Sequence, residues 1–347
     1  MSSEYFVAVD WGTSTMKAFL CRYLDGAAEP LDSVEGPGVG QLQGPIEEAL
    51  FACLDPWLKT YGKLPLLLSG MAGSNIGWVA TPYVPCPVAP VPLFSKCHAF
   101  KHCGHQVVIV PGAISRENDL MRGEELQIFG WLRLQGIGPE SKSRDGDHLI
   151  CLPGTHTKWV LLHNGKIETF MTALTGELFA LLQEHSVLVP KKALSENSES
   201  DKTERKKSSY IDNPEAFLMG VGQLLNAPEE NLIHQLFRVR SQQICGKLLE
   251  ADARAYLSGL LIGADVIGAV KKYQPLLNAF ENGRSLSSGN GWKNLERPAH
   301  KVTLLGNKSL CGLFSDALAV VGYESEICDV TEITLAGFAA VYEATIR

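Results

Sequence analysis

Apolar and polar positions follow a grammar that changes several times along the chain. The opening "EYFVAVDWGTSTMKAFLCRYL" (4–24) predicts a buried strand at about 5–10, a turn rich in small polar residues, and a second strand at about 16–23. The dipeptide Asp25-Gly26 then predicts a tight turn into a third strand, completing a three-stranded meander. Helical spacing follows in "PIEEALFACLDPWLKTYG" (45–62), where Ile46, Leu50, Cys53, Leu54, Trp57 and Leu58 share a face and Pro56 is a candidate break. Short apolar runs at 65–69 and 107–110 read as further strands. The grammar of the opening returns at "HLICLPGTHTKWVLLHNGKIETF" (148–170), with Asn164-Gly165 as its hairpin turn. Gly12, Thr13 and Thr15 match Gly154, Thr155 and Thr157 in order and spacing. Two such meanders, each followed by helices and strands, predict two similar α/β halves facing each other.

In the second half, Thr175 is expected to cap a helix over "TGELFALLQEHS", and Asn213 with Pro214 opens another. Gly259 and Gly263 stand four apart in "YLSGLLIGADV", and close packing of helices is the favoured reason. The segment 191–209 is polar, dense in charge and mixed in sign, and reads as a mobile surface loop.

Length and composition narrow the classes. A chain of 347 residues suggests about two domains. The 31 Lys and Arg against 38 Asp and Glu give a net charge of −7, which disfavours nucleic acid as the main partner. Nine cysteines are scattered without pairing spacing, and no apolar signal segment precedes the first strand, so reduced thiols and a cytoplasmic location are expected. No uninterrupted apolar run approaches the roughly 18–20 residues of a membrane helix, and no membrane partner is expected.

The chemistry lies at the two glycine turns. A glycine lets backbone N–H groups and hydroxyls approach phosphate oxygens that a Cβ would hold off. Gly12, Thr13, Ser14 and Thr15 form one candidate phosphate grip, and Gly154, Thr155, His156, Thr157 and Lys158 the other. Lys158 is open to two readings, a phosphate contact or a strand flank. The chain lacks the G-x-x-x-x-G-K-[ST] nucleotide loop. Asp10, at the end of the first strand, suits a hydrated Mg²⁺, whereas Leu152-Pro153 stands at the matching place in the second copy. Trp11 and Trp159 beside the turns are expected to pack. Cys86, Cys97, His98, His102, Cys103 and His105 are metal-ligand types, but their spacing fits no standard finger.

"DWGTST", "GTHTKW" and "VTLLGNKSL" resemble, in that order, the two phosphate motifs and the adenosine motif of the sugar kinase, Hsp70 and actin superfamily, and "TLAGFAAVYEA" resembles its final connecting helix. More narrowly, "VDWGTST", "SGMAGSNIGW", "DLMRGEELQ", "LPGTHTKWV", "MTALTGELFALL" and "YLSGLLIGA" resemble the 2-dehydro-3-deoxygalactonokinase family over most of the chain. Segments 191–209 and 285–300 depart from it. The resemblance implies an α/β fold of two RNase H-like (actin/hexokinase-type) domains facing a nucleotide cleft. The expected domains are 1–115 and 116–347, with a final helix packing back at the domain interface.

The resemblance also implies ATP and Mg²⁺ as cofactors and Gly306 and Ser309 as adenosine-side residues. The implied reaction phosphorylates the terminal 6-hydroxyl of 2-dehydro-3-deoxy-D-galactonate, a small-molecule partner, with a homodimer compatible. "NDLMRGEE" offers Asp119, Glu124 and Glu125 as carboxylates for the acceptor hydroxyl. By analogy with the Asn-Asp pair of hexokinase-like relatives, Asp119 is the first choice of base and Glu124 the second; an N-cap role for Asp119 is the competing structural reading. Ser74 and Asn75 in the glycine-rich loop and Arg122, through a bidentate pair, are the substrate-side candidates. A kinase of another sugar or sugar acid, and a non-catalytic actin-like ATP-binding regulator, are the alternatives.

Overall fold

The computed structural model describes residues 4–138, 147–190, 213–281 and 301–347. The charged segment 191–209 and the stretch 285–300 singled out above lie outside the described residues. The chain divides into two compact units, Met1–Asp147 with Val160–Met171 and Asp329–Arg347, and His148–Trp159 with Thr172–Cys328. Residues 116–147 and the chain's end thus group with the first unit, although the sequence reading placed them with the second half.

The first unit is built on a six-stranded sheet. The meander forms as predicted from β1 (Tyr5–Trp11), β2 (Thr15–Leu24) and β3 (Ala27–Pro37). Asp25 and Gly26 take φ of 49° and 85°, the positive pair that a two-residue hairpin turn with native twist requires. Helix α1 (Ile46–Tyr61) leads to β4 (Leu66–Gly70), which lies parallel to β1. Pro56 does not split α1. Pro56 and Ala52 are both exposed, so water can take the carbonyl deprived of its helical N–H. β5 (Tyr83–Pro85), α2 (Pro90–Phe94), β6 (His98–His102) and β7 (His105–Ile109) follow, and the sheet order is β3-β2-β1-β4-β7-β6. β5 then joins β8 (Gly112–Ile114) and β9 (Leu120–Met121) in a small sheet ahead of α3 (Glu124–Leu134). Leu50, Leu54 and Trp57 of α1 pack on Val7, Val9, Leu66 and Leu68, all strand residues of the same face by the alternation of the pleat.

The second meander is β10 (His148–Leu152), β11 (Thr157–His163) and β12 (Lys166–Ala173), again with a positive-φ turn at Asn164-Gly165. β11 runs from one compact unit into the other at Trp159/Val160. α4 (Thr175–His185), α5 (Pro214–Asn226), α6 (Leu232–Ile244) and α7 (Ala253–Glu281) follow, then β13 (Val302–Leu305), α8 (Lys308–Val321) and β14 (Ser325–Cys328). The sheet order is β12-β11-β10-β13-β14, with β10, β13 and β14 mutually parallel. A meander followed by two parallel strands on its β1-side edge is therefore present twice. Asn213 caps α5 as predicted, accepting from the Glu215 and Ala216 amides at 3.0 and 3.2 Å. Thr175 does not cap α4: Leu174 holds that position, and the Thr175 hydroxyl points to Asp265 instead.

Gly259 serves close packing. A Cβ there would lie 2.0 Å from the Phe217 carbonyl oxygen of α5, and one on Gly263 would lie 2.9 Å from Leu224. α7 corrects one expectation: by length and mean hydropathy its stretch Glu250–Ala279 is apolar enough to span a membrane. Its most apolar window is 72% buried, against helices that include α4, α5 and α6, so it is a core helix. The chain ends in α9 (Val330–Thr345), which lies on α3 and β3 within the first unit. Tyr342 of α9 stacks between Phe6 and Tyr23, with ring centroids 4.8 and 4.7 Å away.

Candidate active site

In the first unit, β1 and β4 run parallel with Asp10 opposite Ser69 and Trp11 opposite Gly70. The chain must turn sharply as it leaves both strands, and two glycines make the turns. Gly70 has φ 78°, and a Cβ on it would lie 2.5 Å from the Trp11 carbonyl oxygen. Gly123 has φ 109° just before α3, and a Cβ there would lie 3.2 Å from the Cα of Gly70. The end of β1, the end of β4 and the start of α3 thus meet backbone to backbone.

That meeting gathers carboxylates. Asp10 is half-buried, and its pKa is pushed up to about 6, first by burial and then by the negative charge of Glu124, while Lys17 across the β1–β2 ladder pulls the other way. Glu124 accepts the Arg122 amide at 3.0 Å. Glu125 is fully buried, and its two oxygens accept the Gly123 amide at 2.8 and 2.9 Å. Burial and Glu124 push its pKa up to about 8. Ser69 is also fully buried, with no hydrogen-bond partner for its hydroxyl. A desolvated carboxylate beside a second carboxylate and an unsatisfied hydroxyl is a donor set that suits a hard, hydrated cation.

The remaining predicted residues of this unit fall around that cluster. Gly12 donates to the Thr15 carbonyl at 2.8 Å, closing the turn, and the exposed Thr13, Ser14 and Thr15 lie on its outside. Gly38 backs the turn so closely that a Cβ would sit 2.3 Å from the Thr13 carbonyl oxygen. Trp11 is buried and donates to the Pro37 carbonyl, a packing residue as expected. In the loop after β4, Ser74 is buried and its hydroxyl accepts the Ile76 amide at 3.3 Å, while Asn75 is exposed. A cavity of about 580 Å³ opens beside this loop between Val39, Leu42 and Ile46 and the segment Ile76–Val79. Arg122 stacks 4.2 Å over the Tyr83 ring and donates to the Thr81 hydroxyl and, at 2.9 Å, to the Thr81 carbonyl. Asp119 lies in the short loop between β8 and β9, where its carboxylate accepts the Leu120 amide at 2.8 Å. It does not cap α3, whose N-cap is Gly123.

The second unit repeats the arrangement at the ends of β10 and β13. Gly154 and Thr155 form the turn, and the first residues of α4 press against it. A Cβ on Gly176 would lie 2.5 Å from the Gly154 carbonyl oxygen, and the Glu177 amide donates to the Thr155 carbonyl at 2.9 Å. His156 is exposed and pairs with Glu177 at 2.5 Å. Thr157 is fully buried. Lys158 is buried on β11, with its ammonium on the Thr172 hydroxyl at 2.8 Å, which favours its structural reading. Gly306, φ 154°, leaves β13 beside Pro153, and Asn307 caps α8 by accepting the Ser309 and Leu310 amides.

The scan against protein families matches the model described as 2-keto-3-deoxy-galactonokinase over residues 10–341. The chain belongs to this family. Its span takes in all the predicted site residues. Among similar curated proteins, a 2-dehydro-3-deoxygalactonokinase of Escherichia coli (strain K12) is 30% identical over 352 aligned residues, covering 100% of this chain and 97% of that one. A probable 2-dehydro-3-deoxygalactonokinase of Rhizobium meliloti (strain 1021) is also 30% identical, covering 99% and 98%. A crystal structure from Sinorhizobium meliloti, assigned as a 2-dehydro-3-deoxygalactonokinase, is 29% identical, with a TM-score of 0.75 over 98% of this chain and 99% of that one.

Two family-frame residues escaped the sequence reading. Asp265 of α7 accepts from the Trp159 indole at 2.8 Å and from the Thr175 hydroxyl at 2.6 Å, and burial raises its pKa to about 6. Its signal was visible: it is the sole charged residue between Arg254 and Lys271. Ser69 opens the "SGMAGSNIGW" motif at a strand end, but nothing in the motif marks its hydroxyl as buried. The Cys/His cluster takes other roles: His105 bonds the Leu64 carbonyl, and His102 packs against Phe51 and Trp78. Among the described residues, no group of three or more metal-ligand side chains comes together.

Proposed function

We propose that this chain is an ATP- and Mg²⁺-dependent cytoplasmic kinase of the 6-hydroxyl of 2-dehydro-3-deoxy-D-galactonate, releasing ADP and the 6-phosphate. The observation that carries it is family membership over residues 10–341. The repeated strand order, a meander followed by parallel strands, supports two RNase H-like domains of the actin/hexokinase type, each offering one glycine turn to a nucleotide.

Phosphoryl transfer asks a protein for positioning and charge neutralisation. Asp10 would hold Mg²⁺ through water, and the bound ion would neutralise phosphate charge. Gly12–Thr15 and the Gly154, Thr155 and His156 part of the second turn would take phosphate oxygens, with the buried Thr157 behind them and Gly306 and Ser309 on the adenosine side. Ser74 and Asn75 would meet the sugar acid's hydroxyls. Three of the five N–H groups of Arg122 are engaged by Thr81 and Tyr83. That holds the fork rigid and leaves two donors for the substrate carboxylate. Glu124, facing Asp10 electrostatically, is placed ahead of Asp119 as the base that takes the proton of the acceptor hydroxyl; Asp119 is the second candidate.

An ADP-coupled assay over keto-deoxy acids and neutral sugars tests the reading. ADP release that requires the keto-deoxy galactonate supports it; equal release without any sugar acid, or activity on neutral hexoses alone, sinks it. Glu124→Gln is expected to lower kcat by about 10²–10⁴-fold, and Asp119→Asn by less than about tenfold. The reverse order would reassign the base.

A further inference from the structure

Asp265 is an acid set into an apolar helix, and both its oxygens are used. Oδ1 accepts from the Trp159 indole at 2.8 Å, and Oδ2 accepts from the Thr175 hydroxyl at 2.6 Å. These donors stand on the two elements that meet at the second glycine turn. Trp159 follows the turn on β11, and Thr175 is the first residue of α4. The turn and α4 are in backbone contact: the Glu177 amide is on the Thr155 carbonyl at 2.9 Å, and the space beside Gly176 is filled by Gly154 and Thr155. His156 and Glu177 close the outer side at 2.5 Å. Gly154, Thr155 and His156 bring only a glycine and two exposed side chains, while Thr157 is fully buried, so the outer part of the turn depends for its shape on the walls it rests against. One half-buried carboxylate ties those walls together.

We infer that Asp265 is the positioning residue of the second glycine turn: by bridging Trp159 and Thr175 it fixes α4 against Gly154 and Thr155 in the geometry that receives nucleotide phosphates. The inference rests on reading that turn as a nucleotide site. Asp265 touches no reacting atom, and its effect passes through Trp159, Thr175 and the buried Thr157 hydroxyl that also acts on it. A misplacement of the turn weakens nucleotide binding while leaving the sugar-acid residues around Ser74, Asn75 and Arg122 intact, so the two affinities separate.

The test measures ADP binding by calorimetry, KM for ATP and KM for the keto-deoxy acid in the full chain. Asp265→Ala should weaken ADP and raise the ATP KM by about tenfold or more, the scale of hydrogen bonds to a charged group. The sugar-acid KM should stay within about twofold. Trp159→Phe keeps the ring and removes one donor, so it should shift ADP binding in the same direction even where Asp265→Ala folds poorly. Asp265→Asn should restore near wild-type binding, since its carbonyl can accept from the indole and its amide can donate to the Thr175 hydroxyl. Unchanged ADP affinity in Asp265→Ala and Trp159→Phe, a parallel loss of both substrates' affinities, or no rescue by Asp265→Asn would overturn the inference. Gly154→Val separates the two readings. If it weakens ADP while Asp265→Ala and Trp159→Phe do not, positioning alone fails. If it leaves ADP binding unchanged, the nucleotide reading of the turn fails and the inference falls with it.

Discussion

Glu125 is a carboxyl group without solvent, held by the Gly123 amide and its own and facing a second acid one residue away. Its folded pKa of about 8 lies above its ordinary 4.5, so across that window the folded protein keeps a proton that the unfolded chain releases. The stability it contributes is fully present below the unfolded pKa and is lost as pH rises through the folded one. Glu125→Gln cannot ionise. The unfolding free energy of the wild type minus that of Glu125→Gln should therefore fall steadily between 4.5 and about 8 on the pH scale in urea titrations, and a flat difference would mean the carboxyl is already ionised in the fold. Asp10 acts in the same direction over a lower window, from 3.8 to about 6. The motif "NDLMRGEE" announced three carboxylates, yet their separate fates were not legible. They depend on the left-handed Gly123, which turns Glu124 toward Asp10 and Glu125 into the interior, and on the loop between β8 and β9 that carries Asp119.

Helices in this protein meet at glycines. Gly259 of α7 rests on the Phe217 carbonyl of α5, and Gly130 of α3 on the Ile333 carbonyl of α9, each 2.0 Å from where a Cβ would sit. Gly259→Ala and Gly130→Ala must push whole helices apart and should each lose about 1–3 kcal/mol or more in denaturant unfolding. Gly268, exposed on the same α7 with nothing within 4 Å, is the control. Gly268→Ala should be neutral or stabilise by up to about 1 kcal/mol through helix propensity alone. Similar losses at all three positions would show that propensity, not packing, governs them. The sequence proposed packing for Gly259 and Gly263 because their spacing puts them on one face. It was silent on which helix approaches, since α5 is reached only after the chain has folded back on itself. The same limit applied to α7, whose apolar length suits either a bilayer or a core until its neighbours are seen.

At the scale of the whole molecule, one meander-plus-parallel-strand plan appears twice, and the plan leaves loops at the ends of parallel strands in both copies. Only the first copy presents a carboxylate pair there, Asp10 and Glu124, and the corresponding place in the second is Leu152-Pro153. The proposed cation therefore belongs to the first copy. Chelation with EDTA should stop ADP formation and added Mg²⁺ should restore it, with the thermal midpoint of the nucleotide-free protein unchanged; turnover that persists in EDTA would remove the cation from the scheme.

The sequence alone determined the two meanders, their hairpin turns at Asp25-Gly26 and Asn164-Gly165, the paired glycine turns and the family. These are local matters: side-chain alternation, positive φ at Gly and Asn, and spacing along one strand. Tertiary structure decided which acids meet. Asp10 stands opposite Ser69 and feels Glu124 because β4 lies parallel to β1 and α3 starts against Gly70, and Asp265 reaches Trp159 and Thr175 from about a hundred residues away. The desolvation that raises the pKa values of Asp10, Glu125 and Asp265 belongs to the packed state, because it arises from neighbours that linear order does not name.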